Sequence, residues 1–349
     1  MTLFEIDPLT DSRWPGFLQQ QAQASAFHST GWLRALATTY GYSPVAFTTT
    51  PHGSPLADAI VFCEIQSWLT GHRFVSLPFA DHCAPLVNSE SELFALLSTL
   101  RIHPRVVGSR FFELRGGAKF TDFRPDFCSV SATYVHHKLS LEPRIDEIFE
   151  GFHPSCIRRA IRRAEREGLR VECGGSDSLV SEFFRLQLQT RRRHGLPPQP
   201  LEWFKNLAST MGENLQVRVA FQGDHAVAAI LTLTDSHTMI YKYGASESRS
   251  HSLGGVPLLM WIAIQEAKAA NLSEFDFGRS DLSDSSLIQF KERFGALRTP
   301  LSYHRLFLQE HLTAPVRVRA QNSPARGFFR RLPSPILAAF GRMLYRHMG

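Results

Sequence analysis

Apolar residues first recur at helical spacing over Ser29–Tyr40, where Trp32, Leu33, Leu36 and Ala37 share one side, which predicts an amphipathic helix. Short apolar runs at Ser43–Thr49, Ala57–Gln66 and His72–Leu77 predict strands, followed by a helix at Glu90–Leu100. Strands at Arg110–Leu114 and Thr133–Leu141 complete a first mixed unit, and Glu142-Pro143 and Gly151 to Pro154 punctuate the chain after it. Beyond them the spacing predicts helices at Ser155–Gly168, capped by Ser155, at Asp177–Arg192 and at Pro200–Met211. Strands at Leu215–Phe221, Ala226–Thr234 and Thr238–Tyr243 read as an antiparallel meander. A helix at Gly255–Ala270, a strand at Glu274–Phe277, a helix at Asp284–Phe294 and a strand at Pro300–Phe307 close the second unit. This order departs from strict strand–helix–strand alternation, and no GxGxxG follows a strand. The expected class is therefore α/β with mixed sheets of α+β character, not a dinucleotide fold.

Composition narrows the reading. With 349 residues, 43% of them apolar and 20% charged, the chain is long enough for two domains and too apolar for disorder. No apolar run has the length of a membrane-spanning helix, and the N-terminus MTLFEIDPLTDSRW does not read as a secretory signal. The five cysteines form no CxxC pair, which points to a reducing, cytoplasmic setting. The net charge of +6 is uneven: residues 311–349 carry seven arginines and no acid, more than the whole excess. The body is thus not a generally basic nucleic-acid binder. Residues 151–200 hold a second local excess, ten arginines against five acids.

Several segments carry candidate chemistry. In Leu253-Gly254-Gly255-Val256-Pro257, two glycines sit between a strand and an apolar helix, where free N–H groups and the helix dipole favour an anion. A strand-closing turn explains the same glycines equally well. In FDFGRS, Asp276 and Arg279 sit at a strand end, the lip where α/β domains meet ligands, or else form an ion pair tying strand to helix. Lys291 lies on a helix between Phe290 and Phe294, which would hold that helix to the core; an ordinary exposed lysine is the alternative. Arg191, Arg192, Arg193 and His194 end a helix whose dipole favours cations, and a guanidinium there also suits paired phosphate oxygens. Arg158, Arg159, Arg162, Arg163 and Arg166 pair at i, i+4 as a solvated face or a phosphate- or RNA-facing patch. His136 and His137 alternate across a strand and no HExxH occurs, so no metal site is expected. No GxSxG motif and no Walker loop is present.

Four segments, FHSTGWLRAL, IRRAIRRAEREGLRV, LQTRRRHGLPPQP and the stretch 241–296, resemble in this order the FemAB-like branch of the GNAT acyltransferase superfamily, over about residues 26–308. The resemblance implies two tandem GNAT-like domains with a cleft between them: 1–145, degenerate, and 146–310, the acyltransferase domain, followed by a basic amphipathic tail, 311–349. It also implies transfer of an acyl or aminoacyl group to an amine on a cell-envelope precursor. The implied catalytic residues are Lys291, at the developing negative charge, with Asp276 or Tyr243 in proton handling. Arg193, three residues after Thr190, would contact a diphosphate, joined in substrate binding by Arg192, His194, Arg279 and Arg34. His251, Gly254 and Gly255 would face the donor, with His251 and Val256 standing where CoA-using relatives carry Gln or Arg and a second small residue. No permanently bound cofactor is expected, and the donor is either acyl-CoA or aminoacyl-tRNA. The expected partners are a diphosphate- or lipid-linked precursor, a donor tRNA, and an anionic membrane surface met through residues 327–349 at the inner face of the membrane. Two alternatives stay open: an acetyl-CoA-dependent N-acetyltransferase of exopolysaccharide synthesis, and a non-catalytic envelope-assembly protein on a GNAT fold.

Overall fold

The structure is a computed structural model and describes residues 2–116, 127–306 and 324–348. Its contacts divide the chain into two compact units: Met1–Tyr134 with Pro300–Arg319 and Tyr345–Gly349, and Val135–Thr299 with Ala320–Leu344.

The first unit contains β1 (Phe4–Ile6), α1 (Arg13–Gln20), α2 (Thr30–Tyr40), β2 (Ser43–Thr48), β3 (Ile60–Ser67), β4 (Gly71–Val75), α3 (Glu90–Leu100) and β5 (Phe112–Arg115). It also takes the first part of β6 (Cys128–Ser140) and most of β12 (Leu297–Leu306). Strands run in the order β1-β2-β3-β4-β5-β12, antiparallel throughout except that β4 and β5 are parallel. α2 starts where Ser29 accepts from the Trp32 N–H at 3.2 Å and stops at Gly41, whose φ of 71° suits glycine. Val45, Phe47, Phe62, Phe74, Leu97 and Phe112 form its buried core.

The second unit contains α4 (Ile145–Gly151), a π-turn over Pro154–Arg158 leading into α5 (Arg159–Arg166), β7 (Arg170–Gly174), α6 (Asp177–Arg193) and α7 (Leu201–Met211). There follow β8 (Leu215–Gln222), β9 (His225–Thr234), β10 (Thr238–Ser246), α8 (Gly255–Ala269), β11 (Glu274–Asp281) and α9 (Ser285–Glu292). After β12 come α10 (Pro324–Arg331) and α11 (Ser334–Tyr345). The strand order is β6-β11-β10-β9-β8-β7; β10 and β11 are parallel, and the β7–β10 meander is antiparallel. α8 buries Leu259, Met260, Ala263 and Ile264 against Ile230, Phe275 and Phe277.

One local expectation is corrected. Ser155 does not cap the helix that follows it: the His153 ring accepts from the Cys156 N–H at 3.4 Å, and a π-turn precedes α5. In the C-terminal segment Leu337 and Tyr345 are buried, and the Tyr42 hydroxyl donates to the Tyr345 carbonyl at 2.8 Å. Phe328, Ile336, Met343 and Met348 stay exposed. Residues 311–323 of the expected tail lie outside the described residues. No helix among the described residues is long and apolar enough to cross a membrane.

Candidate active site

Two groups of candidate side chains lie in the second unit. The first is built by α6. Ser176 caps this helix by accepting from the Leu179 N–H at 3.4 Å, and Leu179, Val180, Phe183 and Leu186 bury its inner face. Its last turn is Arg191, Arg192 and Arg193, cations that the helix dipole favours at this end by ~0.3–1 kcal/mol each. Thr190 fastens this end to the end of β10, since its hydroxyl receives the Ser246 N–H at 3.1 Å and donates to the Ser246 carbonyl at 3.3 Å. Arg193 is thereby fixed: its Nη1 donates to the Ser246 carbonyl at 3.2 Å and to the Ser248 hydroxyl at 2.8 Å. Burial pulls the Arg193 pKa down from the ordinary guanidinium value.

Around it opens a cleft of about 640 Å³ lined by Gln189, Arg192, Arg193, Glu247, Ser248, Arg249 and Arg330. Four guanidinium groups face one carboxylate there. That carboxylate is already engaged, because Glu247 accepts from Arg249 at 2.8 Å, from His225 at 3.0 Å and from Ser250 at 3.0 Å. Arg249, outweighing a contrary effect of burial, leads these partners in holding the Glu247 pKa down at about 2. Arg192 donates to the Ser334 hydroxyl at 3.4 Å, and neither Arg192 nor Arg330 has a carboxylate partner among the described residues. His194 is exposed at the helix end; partial burial, then Arg193 and Arg191, lower its pKa, and Asp284 opposes them. His251 is exposed as well, with its ring Nε2 at 2.9 Å from the Ser246 hydroxyl, and burial followed by Arg193 lowers its pKa.

The second group lies where β11 hands over to α9. Asp276 is buried on β11; its carboxylate sits 2.7 Å from the His136 ring of β6 and accepts the Gly278 N–H at 2.6 Å. Gly278, with φ 71°, turns the chain so that its own carbonyl faces α9. Asp284 caps α9 by accepting from the Leu287 N–H at 3.1 Å, and Phe290 and Phe294 press it on the core. Lys291 consequently points inward and is 2% exposed; its Nζ donates to the Gly278 carbonyl at 2.8 Å and the Arg279 carbonyl at 3.0 Å. The alternative of an ordinary exposed lysine is therefore overturned. A single peptide, Gly278, connects the Asp276 carboxylate to the Lys291 ammonium. A cation held in fixed geometry in a dry site is suited to charge that develops during acyl transfer.

The remaining expected residues have other surroundings. Tyr243 packs its ring on Phe183 and Phe204, and its hydroxyl receives the Trp203 indole N–H at 3.2 Å. Gly254 has φ 80°, and a Cβ there would overlap the Ala160 carbonyl of α5; a Cβ on Gly255 would lie 2.8 Å from that of Ala228. Close packing alone thus demands both glycines. Arg34 is an exposed residue of α2 in the first unit and does not line the cleft. Sequence reading missed Arg249 and Glu247, which stand in an unremarkable serine-rich stretch. It also assigned Arg330 to the tail, since nothing local signals that a residue 137 positions after Arg193 returns to it.

Residues 155–292, which hold Arg193, Asp276 and Lys291, match the acetyltransferase (GNAT) domain family. The UDP-N-acetylmuramoylpentapeptide-lysine N(6)-alanyltransferase of Weissella viridescens is 26% identical over 145 residues, 41% of this chain and 43% of that protein. The alignment therefore spans less than half of the curated relative's length. Among solved structures, FemX superposes with a TM-score of 0.68 at 12% identity, over 88% of this chain and 97% of FemX. A tandem GNAT protein of the clavulanic acid biosynthesis pathway gives 0.53 at 11% identity, over 88% and 98%. With the mixed sheets described above, these likenesses show a tandem GNAT-like fold, within which residues 155–292 form the segment that matches the acetyltransferase (GNAT) domain.

Proposed function

We propose that the protein is an N-acyltransferase that moves an acyl or aminoacyl group onto an amine of a cell-envelope precursor. The observation that carries this reading is the match of residues 155–292 to the acetyltransferase (GNAT) domain, with Lys291 buried and fixed inside the matched segment. The amine attacks the carbonyl carbon of an activated ester or thioester; the new C–N bond forms, the alcohol or thiol leaves, and the amine's proton passes to it or to solvent. Lys291 stabilises the charge on the carbonyl oxygen, and Asp276 with His136 holds the Gly278 turn on which Lys291 rests. Arg193 engages an acceptor diphosphate, as its place beside the cleft supports. Holding two bound reactants together supplies much of the acceleration.

The donor is acyl-CoA or aminoacyl-tRNA. Native mass spectrometry of gently purified protein distinguishes the two by the mass of what it retains. Transfer is tested by incubating the protein with acetyl-CoA or alanyl-tRNA and a UDP-linked muropeptide bearing a free lysine amine. A mass increase of the acceptor by one acyl or aminoacyl group supports the reading. An unchanged acceptor with every donor, despite bound ligand, favours a non-catalytic assembly role instead. A peripheral encounter with an anionic membrane is favoured by the exposed Phe328, Ile336 and Met343, which share α10 and α11 with Arg331 and Arg342. It predicts pelleting with anionic liposomes that salt suppresses, and salt-insensitive or absent pelleting would dismiss it.

A further inference from the structure

We propose that the C-terminal helices are part of the ligand site: α10 supplies Arg330 as one arm of an anion clamp whose other arm is Arg192 and Arg193 at the end of α6, and the group it grips is a diphosphate. The acyltransferase reading provides the acceptor that would carry such a group; the clamp itself rests on the geometry of α6, β10 and α10.

The position of α10 is written into the sequence at sites far from it. Gly195, which follows α6, has φ 67°, and a Cβ there would lie 2.5 Å from the Arg326 carbonyl of α10. Gly341 of α11 approaches the Pro198 carbonyl so closely that a Cβ would overlap it. Leu337 is fully buried between these approaches, and Phe328, Phe329 and Phe340 pack ring on ring with centroids 5.6–6.0 Å apart, which ties α10 to α11. Gly195 thus admits α10, and Gly341 lets α11 reach Pro198, three residues on from Gly195. Arg330 is presented to the cleft by a helix held in place.

Charge says what the clamp holds. Like charges gathered in one cleft repel, and the only carboxylate lining it among the described residues is spent on Arg249, His225 and Ser250. Arg192 and Arg330 are left without carboxylate partners among the described residues, one on each arm. Planar guanidinium forks match pairs of phosphate oxygens, and two arms of forks match two linked phosphates better than a single carboxylate. The volume of about 640 Å³ leaves room for a diphosphate and part of what it bears.

Calorimetric titration tests this with inorganic diphosphate, UDP and farnesyl diphosphate as probes, on the full-length protein and on Arg330→Ala, Arg330→Gln, Arg193→Ala and Arg331→Ala. Arg331 is exposed on the same helix and does not line the cleft, so it controls for tail charge. The expected result is a loss of about 10- to 100-fold in diphosphate affinity for both Arg330 variants, with Arg331→Ala within about twofold. The same loss with all three probes says that the clamp reads the diphosphate itself; a loss confined to UDP or to farnesyl diphosphate says which source it serves. Unchanged affinity in folded Arg330 variants, alongside a loss in Arg193→Ala, removes α10 from the site while leaving the acyltransferase reading intact. Wild-type protein that binds none of the three overturns the clamp as well. Failure of the acyltransferase reading shows separately, as an unmodified acceptor.

Discussion

The two units solve the same folding problem and use their charges differently. In the first, buried polar groups are spent on one another. Glu113 accepts from Arg305 at 2.7 Å and Arg115 at 3.2 Å, and Arg115 also donates to the Leu77 carbonyl at 2.9 Å. Burial pushes Glu113 up, but the two arginines outweigh it and hold its carboxyl below the usual range. His28 is likewise tied in, receiving the Ser25 N–H at 3.1 Å while its other nitrogen sits 3.0 Å from the Ala84 carbonyl. The second unit keeps charge in reserve: Lys291 donates to the Gly278 and Arg279 carbonyls, and Arg192 and Arg330 line a cleft with no carboxylate partner among the described residues. Charges that satisfy each other stabilise a fold; charges held in place without neutralisation are available to a ligand.

This contrast can be broken most forcefully at Glu113. Removing one member of a buried, hydrogen-bonded ion group strands the others, so Glu113→Gln should lower stability by about 3–5 kcal/mol. Denaturant melts measure this, and activity per folded molecule should be unchanged. A variant as stable as wild type would show that this cluster is not structural.

Next comes the turn before α8. Gly254→Ala places a Cβ against the Ala160 carbonyl at φ 80°, and the left-handed backbone alone costs roughly 1–2 kcal/mol for a residue other than glycine. Hydrogen exchange should show protection lost in α5 and α8 while the first unit keeps its own. Equal protection in wild type and variant would mean that the turn is looser than the packing implies.

At Arg193, alanine should weaken binding of a diphosphate-bearing acceptor by about 1.5–3 kcal/mol, the scale of a charge-assisted hydrogen bond. Lysine should recover only part, because it lacks the planar fork. Calorimetry that finds no difference between wild type and Arg193→Ala takes this residue out of binding.

The smallest effect separates two histidines that burial pushes down to about 4, His28 in the first unit and His137 in the second, where the Lys291 charge adds to the lowering. Both are neutral when folded and charge more readily when unfolded. Their contribution is fully present above about pH 6.5 and is lost as pH falls from there toward 4. Neither ring nitrogen of buried His137 has a hydrogen-bond partner among the described residues. His137→Leu should therefore cost under about 1 kcal/mol at pH 8 and flatten the acid limb, whereas His28→Leu strands its partners and should cost about 1–3 kcal/mol. Acid unfolding curves at matched ionic strength decide it; an unflattened limb in His137→Leu would contradict the assignment.

Much of the second unit was legible because its elements are long and regular. Asp177–Arg193, the β8–β10 meander and α8 carry full periodic patterns, and each falls within a few residues of its expected span. β1 and β7 were missed because edge strands of three and five residues bury too little to show alternation. The Thr190–Arg193 spacing pointed at the cleft, but its other walls could not be read locally: Arg330 arrives through tertiary packing at Gly195 and Gly341. The same limit explains the glycines at 254 and 255. Their sequence suits an anion-binding turn and a packed one alike, and only the approach of Ala160 and Ala228 shows how tightly they are packed.

We propose that Lys291 serves chemistry and not the fold alone. It is tested most directly by the rate of acyl transfer per folded molecule in Lys291→Ala, with circular dichroism and melts establishing the folded fraction. Because Lys291 is buried and its loss orphans the Gly278 and Arg279 carbonyls, about 1–3 kcal/mol of stability should go with it. The predicted result is a fall of about 100-fold or more in the rate of the molecules that remain folded. A rate within about threefold of wild type would contradict the claim, leaving Lys291 as a structural tie between α9 and β11.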